Sequence, residues 1–76
     1  MRLRAEDSLA PAVKGTLVDV SPSGFRARHD SFNLRSGETV HFEHSGLTGR
    51  ARIMWTLIVG DAVEAGFLIL SKSPAN

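Results

Sequence analysis

Short runs in which apolar and polar residues alternate cover most of this chain, and glycine-rich or polar turns separate them. Successive side chains of a β-strand point to opposite faces of the sheet, so alternation is typical of strands with one buried face. No run of ten residues has the 3.6-residue period of an amphipathic helix together with capping signals. The pattern predicts an all-β fold with little or no helix, built from six strands at residues 2–6, 13–20, 25–28, 38–44, 48–59 and 63–69.

A chain of 76 residues has room for a single hydrophobic core. Six short strands joined by tight turns favour a small six-stranded antiparallel β-barrel, because closure leaves the fewest unpaired backbone groups at sheet edges. We therefore expect one β-barrel domain over residues 1–71, followed by a flexible tail over residues 72–76.

The composition restricts the kinds of site and the location. The chain has no cysteine, which excludes disulfides and thiolate metal sites. No apolar run approaches the roughly 20 residues of a membrane-spanning helix, and residues 1–7 do not resemble a secretory signal. We expect a cytoplasmic protein that does not associate with membranes.

The aromatic residues argue against binding to a nucleic acid polymer. Small barrels that bind single strands use outward aromatic side chains and a basic groove. Here Phe25, Phe42, Trp55 and Phe67 fall on the strand faces predicted to point inward, and a net charge of +1 gives only a weak overall field. We expect Trp55, with Leu57 on the same face, to lie in the core.

The histidines and Ser21 are the candidates for metal ligands and for a catalytic site. His41 and His44 are three positions apart on one predicted strand, so their side chains point to opposite faces. Neither they nor His29 has the cysteine or carboxylate partners of a metal site. Ser21 lacks the GxSxG turn of a serine hydrolase. We expect no metal site and no enzymatic activity.

Asp19, Ser21 and Gly24 lie where the second predicted strand enters a turn. An outward carboxylate can accept two donors of a guanine edge, a hydroxyl can bind phosphate or base, and glycine allows close approach of backbone N–H groups. Together the three residues suit a guanine nucleotide. The same residue types also build ordinary turns, so a purely structural role stays open on spacing alone.

The spacing of Asp19, Ser21 and Gly24 matches the DxSxxG signature of PilZ domains, and the chain resembles that family over roughly residues 2–70. Three later segments, residues 34–40, 49–55 and 66–70, also resemble PilZ segments and follow one another in the same order as in that family. The resemblance implies a six-stranded barrel that binds cyclic diguanylate on its outer surface in bacterial second-messenger signalling. It also implies ligand contacts from Asp19 and Ser21, with Gly24 shaping the turn.

The second PilZ signature, an RxxxR pair just upstream of the first strand, is missing. Arg2 and Arg4 are separated by one residue, lie within the first predicted strand, and do not correspond to that pair. A hydrogen bond to a charged group contributes about 1.5 to 3 kcal/mol, so the loss of two such arginines weakens binding by about 3 to 6 kcal/mol. Outward arginines that can replace part of this charge are Arg26, Arg28, Arg50 and Arg52.

Two explanations of the missing pair stay open. In the first, the chain begins just after the pair in a longer protein that binds the nucleotide. In the second, the chain is a degenerate member of the family that keeps the barrel and acts through a protein partner or by self-association. The second explanation is favoured by apolar residues on faces predicted to be exposed, namely Met54, Ile58, Leu68 and Leu70.

Overall fold

The computed structural model describes residues 1–74, which form β-strands and turns without a helix. The strands are β1 (Arg2–Ala5), β2 (Val13–Lys14), β3 (Thr16–Ser21), β4 (Gly24–His29), β5 (Thr39–His44), β6 (Leu47–Val59) and β7 (Ala62–Pro74). They pair in one curled sheet with the order β2-β1-β5-β6-β7-β4-β3, and every pairing is antiparallel. The prediction of a small all-β, barrel-like fold is confirmed. Among the described residues, no helix is long and apolar enough to cross a membrane.

The second predicted strand is divided at Gly15, which gives seven strands where six were expected. Before Gly15, β2 pairs with β1, and after it β3 pairs with β4. Gly15 itself exchanges two backbone hydrogen bonds with Met1, at 2.8 and 3.0 Å. Because β2 and β3 lie at opposite ends of the sheet order, the chain that runs through Gly15 joins the two ends and curls the sheet into a barrel.

The hairpin turns follow the sequence signals. Ser45 and Gly46, which connect β5 to β6, both have positive φ angles of 51° and 79°. Positive φ at both central residues is typical of the two-residue turn whose twist matches that of paired strands. Gly60, at the predicted turn between β6 and β7, also has a positive φ of 64°.

The core lies on the inner face of the curled sheet and combines residues from five of its strands with Leu34 of the loop before β5. The Phe25 ring stacks on Phe67 with centroids 4.6 Å apart, and it meets the Phe42 ring at 5.2 Å in a tilted arrangement. The predicted inward positions of β4, β5 and β7 are confirmed. The buried cluster comprises Leu3, Phe25, Ala27, Leu34, Val40, Phe42, Ala51, Ile53, Ala65 and Phe67.

The prediction that Trp55 and Leu57 lie in the core is wrong. The β6–β7 register shifts between Ile53, which pairs with Phe67, and Trp55, which pairs with Gly66. The extra residue in β6 is a β-bulge, and a bulge moves the following side chains to the opposite face. Trp55 is 39% exposed and Leu57 is 57% exposed, whereas Ile53 before the bulge is fully buried.

The loop before β5 packs against this bulge and forms hydrogen bonds with its backbone N–H and carbonyl groups. The Gly37 N–H donates to the Ile53 carbonyl at 2.7 Å, and the Ile53 N–H donates to the Glu38 carbonyl at 2.9 Å. The Ser36 hydroxyl donates to the Met54 carbonyl at 3.1 Å. The bulge is thus held by contacts from a segment distant in sequence.

The last strand extends beyond the predicted domain boundary at residue 71. Lys72, Ser73 and Pro74 belong to β7 and pair with the beginning of β6, so the predicted flexible tail is wrong for these three residues. They form the pairs Gly49–Lys72, Thr48–Ser73 and Leu47–Pro74. Residues 75 and 76 of the predicted tail lie outside the described residues.

His29, at the end of β4, is buried and has two ring nitrogens in different surroundings. Nδ1 accepts a hydrogen bond from the Ser31 N–H at 3.1 Å, so the proton lies on Nε2. Nε2 is buried and has no partner within residues 1–74. Burial lowers the pKa of His29 below its ordinary value of 6.5, against a smaller opposite effect of the Asp30 charge.

Truncation of matched isoleucines tests the bulge. We expect Ile53→Ala to lower the free energy of unfolding by about 2 to 5 kcal/mol, since it leaves a cavity in the core. Ile58→Ala, at a position that is 66% exposed, should have a much smaller effect. Urea denaturation followed by circular dichroism measures both. Equal losses of stability in the two variants would contradict the register described above.

The buried His29 predicts a loss of stability between about pH 7.5 and pH 5.5. The unfolded chain takes up the proton near pH 6.5 and the folded chain only at lower pH. The unfolded state therefore binds more protons in this range, and stability falls as the pH falls. The pKa values of Glu6 and Asp19 are lowered, chiefly by hydrogen bonds from Arg50 and Arg26, so these carboxyls titrate below this range.

Thermal denaturation in steps of pH measures this dependence. His29→Asn keeps an acceptor for the Ser31 N–H and should flatten the profile. His44→Asn, in β5, is the matched control and should leave the slope unchanged. If the wild-type protein and His29→Asn have the same slope, His29 does not cause the pH dependence.

Candidate functional site

The three residues of the DxSxxG signature lie around the β3–β4 hairpin. Asp19 and Ser21 belong to β3, Pro22 and Ser23 form the turn, and Gly24 begins β4. Asp19 and Ser21 are exposed on the barrel surface, and Gly24 is buried beneath them. The predicted outward orientation of Asp19 is therefore present in the structure.

The Asp19 carboxylate is held by Arg26, its cross-strand partner in β4. The Arg26 Nε donates to both carboxylate oxygens at 3.1 Å, and a terminal nitrogen of the same guanidinium binds Oδ2. These hydrogen bonds, with the attraction between the charges, lower the pKa of Asp19 and raise the pKa of Arg26. Asp19 is ionised at neutral pH and is therefore an acceptor for N–H donors.

Arg26 also contacts a second carboxylate, that of Glu64 in β7. The distance from Arg26 Nη1 to Glu64 Oε1 is 3.4 Å, and Arg28 Nε donates to Glu64 Oε2 at 3.2 Å. The Glu64 side chain is only 12% exposed, and both of its carboxylate oxygens are bound by these arginines. Four charged groups of β3, β4 and β7 thus form one connected network on the outer face.

Ser21 and Gly24 form the base of the hairpin. The Ser21 hydroxyl donates to the Gly24 carbonyl at 3.4 Å, a long hydrogen bond that leaves the hydroxyl accessible to another partner. Gly24 does not have a positive φ angle. A Cβ atom at this position would overlap the Phe67 carbonyl oxygen of β7. Glycine is therefore required here by the close approach of β7, in addition to the shaping of the turn that the PilZ resemblance implies.

Trp55 is brought beside Asp19 and Arg26 by the bulge in β6. Arg26 pairs with Gly66 of β7, and Gly66 pairs with Trp55. A Cβ atom on Gly66 would overlap the indole nitrogen, so the indole lies directly over this glycine. One row of neighbouring residues, Asp19, Arg26, Gly66 and Trp55, therefore crosses four strands. It presents a carboxylate, a guanidinium and the indole that covers Gly66.

These residues border an open depression of about 360 Å³, which also includes Ser21, Ser23 and Leu68. Small-molecule sites usually occupy about 300 to 1,000 Å³ and combine apolar surface with a few polar groups. An aromatic face beside hydrogen-bonding groups of both charges can stack on a planar base and bind its edge. We name this depression, with its row from Asp19 to Trp55, the Asp19 face.

Of the four arginines predicted to supply positive charge near the turn, two are close to the Asp19 face and two are not. Arg26 borders it, and Arg52 lies two rows along the sheet, across Leu68 from Gly24. Arg28 is bound to Glu64, and Arg50 binds Glu6 at the other end of the sheet. Arg52 has no carboxylate within 4.0 Å among residues 1–74, so its charge is available to an anion.

Sequence reasoning missed the contribution of Trp55 because the alternation of β6 placed it inside. The local signal that was present is Gly66, which is the only residue type that leaves room for an indole above the strand. Of the three histidines, His41 lies beside one carboxylate, with its Nε2 3.7 Å from Glu6 Oε1. Within residues 1–74, no group of three histidine, cysteine, aspartate or glutamate side chains has the arrangement to hold a metal ion.

Comparison with known proteins gives no relative: no protein-family model, curated protein or solved structure matches this chain.

Proposed function

We propose that the barrel binds cyclic diguanylate at the Asp19 face, as a non-enzymatic PilZ-like sensor of the bacterial cytoplasm. The observation that carries the proposal is the cross-strand row that joins Asp19 and Arg26 to the partly exposed indole of Trp55. The carboxylate suits the N–H donors of a guanine edge, and the indole suits stacking on its ring. The resemblance of residues 19–24 to the DxSxxG signature supports the same ligand.

Phosphate groups of the ligand are assigned to Arg26 and Arg52. Arg26 has Glu64 as a second partner, so its guanidinium can turn from Asp19 while its charge stays at the depression. Arg52, two strands from Gly24 across Leu68, adds a second guanidinium that can bind a phosphate in a bidentate manner. These arginines replace in part the RxxxR pair that this sequence does not contain.

Titration with cyclic diguanylate tests the proposal, with heat and tryptophan fluorescence as independent measurements. Trp55 is the only tryptophan, so stacking at the Asp19 face should change its emission. We expect Asp19→Asn to weaken binding by about tenfold or more, since a hydrogen bond to a charged group is lost. Because the missing arginine pair weakens binding by about 3 to 6 kcal/mol, the titration requires a high protein concentration, on the order of hundreds of micromolar.

Asp61→Asn is the matched control, because it removes the same charge at the β6–β7 turn. It should leave binding unchanged. Circular dichroism of both variants should match that of the wild type. Absence of heat and of a fluorescence change in the wild-type protein, or equal binding by Asp19→Asn and Asp61→Asn, would refute the nucleotide role.

A second candidate function, self-association, is favoured by the outer half of the β6–β7 hairpin. Beyond Arg52, β6 pairs with β7 on one side, and no described strand pairs with its other side. Leu57, Ile58 and Val59 in this unpaired half are exposed. An apolar edge strand with free backbone groups can pair with the same edge of a second copy.

Sedimentation velocity over a range of concentrations tests this alternative. If β6 edges pair, the wild-type protein should form dimers, and Ile58→Lys should be monomeric because a charge at the edge prevents pairing. Leu9→Lys places the same charge on another exposed leucine, in the loop before β2, and should leave the dimer intact. A protein that is monomeric at all concentrations would exclude this function.

A further inference from the structure

A second groove, of about 620 Å³, lies over the outer face of β1 and β5 and shares no residue with the Asp19 face. Its floor is formed mainly by Arg2 and Arg4 of β1 with His41 and Glu43 of β5. One wall is the loop over residues 9–12, which places Leu9, Ala10 and Pro11 beside these charged groups. The groove therefore combines a mainly cationic floor with an apolar wall.

The charges on this floor are not balanced within the protein. Arg4 is paired across the strands with His41, and His41 with Arg50. Glu6 neutralises Arg50, with Arg50 Nε at 2.6 Å from Oε1 and a terminal nitrogen at 3.2 Å from Oε2. His41 Nε2 is 3.7 Å from the same Glu6 Oε1. No second carboxylate is available in this row for Arg4.

Arg2 and Arg4 have neither a carboxylate within 4.0 Å nor a side-chain hydrogen bond among residues 1–74. Glu43 is the register partner of Arg2, yet its carboxylate does not form an ion pair with it. Arg2 is also the register partner of Lys14 in β2; like charges on neighbouring strands destabilise a sheet, and a bound anion reduces that repulsion. Two guanidinium groups on one strand face can each bind a phosphate through two parallel hydrogen bonds.

We propose that this groove binds a phosphate-bearing small molecule, with Arg2 and Arg4 holding the phosphate and the loop over residues 9–12 contacting an attached apolar group. The apolar wall keeps water from one side of the phosphate, and this strengthens its attraction to the arginines. Glu43 lines the same groove, and its negative charge repels the anion. The site does not depend on nucleotide binding at the Asp19 face.

Titration with inorganic pyrophosphate, followed by the backbone and arginine Nε signals in ¹H–¹⁵N NMR spectra, tests the proposal. We expect saturable shifts confined to β1, β5 and residues 9–12. Arg4→Gln should weaken binding by about tenfold or more, because it removes a charged hydrogen-bond donor. Arg35→Gln removes the same charge from the loop before β5 and should leave binding unchanged.

Glu43 provides a test in the opposite direction. Glu43→Gln should strengthen pyrophosphate binding, since it removes the carboxylate that faces the groove. Asp61→Asn makes the same change in net charge at a distant turn and should have little effect. This pair of variants separates a local site from a general effect of net charge.

The phosphate can come from a free metabolite or from a lipid headgroup, and vesicles distinguish the two sources. Leu9 is fully exposed at the rim of the groove. Sedimentation with phosphatidylglycerol vesicles that depends on both Leu9 and Arg4, without saturable pyrophosphate binding, assigns the headgroup as the ligand. If neither probe binds, or if Arg4→Gln and Arg35→Gln bind equally, the proposal is wrong.

Discussion

The pairing of β6 with β7 determines where most other features of this protein lie. Both strands have 13 residues and pair from Leu47–Pro74 to Val59–Ala62. β6 also pairs with β5, and β7 with β4, so this hairpin is the centre of the sheet. Its two register shifts interrupt the regular alternation of faces. The bulge after Ile53 lets one strand supply the core with its first half and the outer surface with its second half.

Alternation predicted the buried face wherever strand pairing is regular. Phe25, Ala27, Val40 and Phe42 lie inside as expected, because each choice of face depends only on neighbouring residues of one strand. Trp55 lies outside because β6 has one residue more than β7 between the pairs Ile53–Phe67 and Trp55–Gly66. Ser36 and Gly37 bind the backbone of β6 at this bulge. A bulge depends on how two strands pair, so the alternation within one strand does not predict it.

At the Asp19 face, too, the sequence predicts features that depend on one strand or turn, but it does not predict contacts between strands. The sequence predicts that Asp19 and Ser21 lie on the surface beside one turn, and both side chains are exposed there. Arg26 was predicted to point outward, but its ion pair with Asp19 follows from the β3 register, which itself shifts between Leu17 and Asp19. Gly24 was assigned to the turn, whereas the structure requires glycine because β7 passes close to it. Such contacts between distant segments have no local pattern.

The Asp19–Arg26 ion pair is compatible with the nucleotide binding that we propose at Asp19. Both groups are exposed, so water and salt already compete with their attraction, and separating them is easy compared with opening a buried pair. Glu64 lies 3.4 Å from Arg26, and in the proposed complex it can bind the guanidinium when a base edge binds Asp19. In that complex the Arg26 guanidinium stays beside the depression and is available to a phosphate of the proposed ligand. Without a ligand, the β3–β4 register places the Asp19 carboxylate and the Arg26 guanidinium side by side, so the pairing of the two strands positions both groups of the Asp19 face.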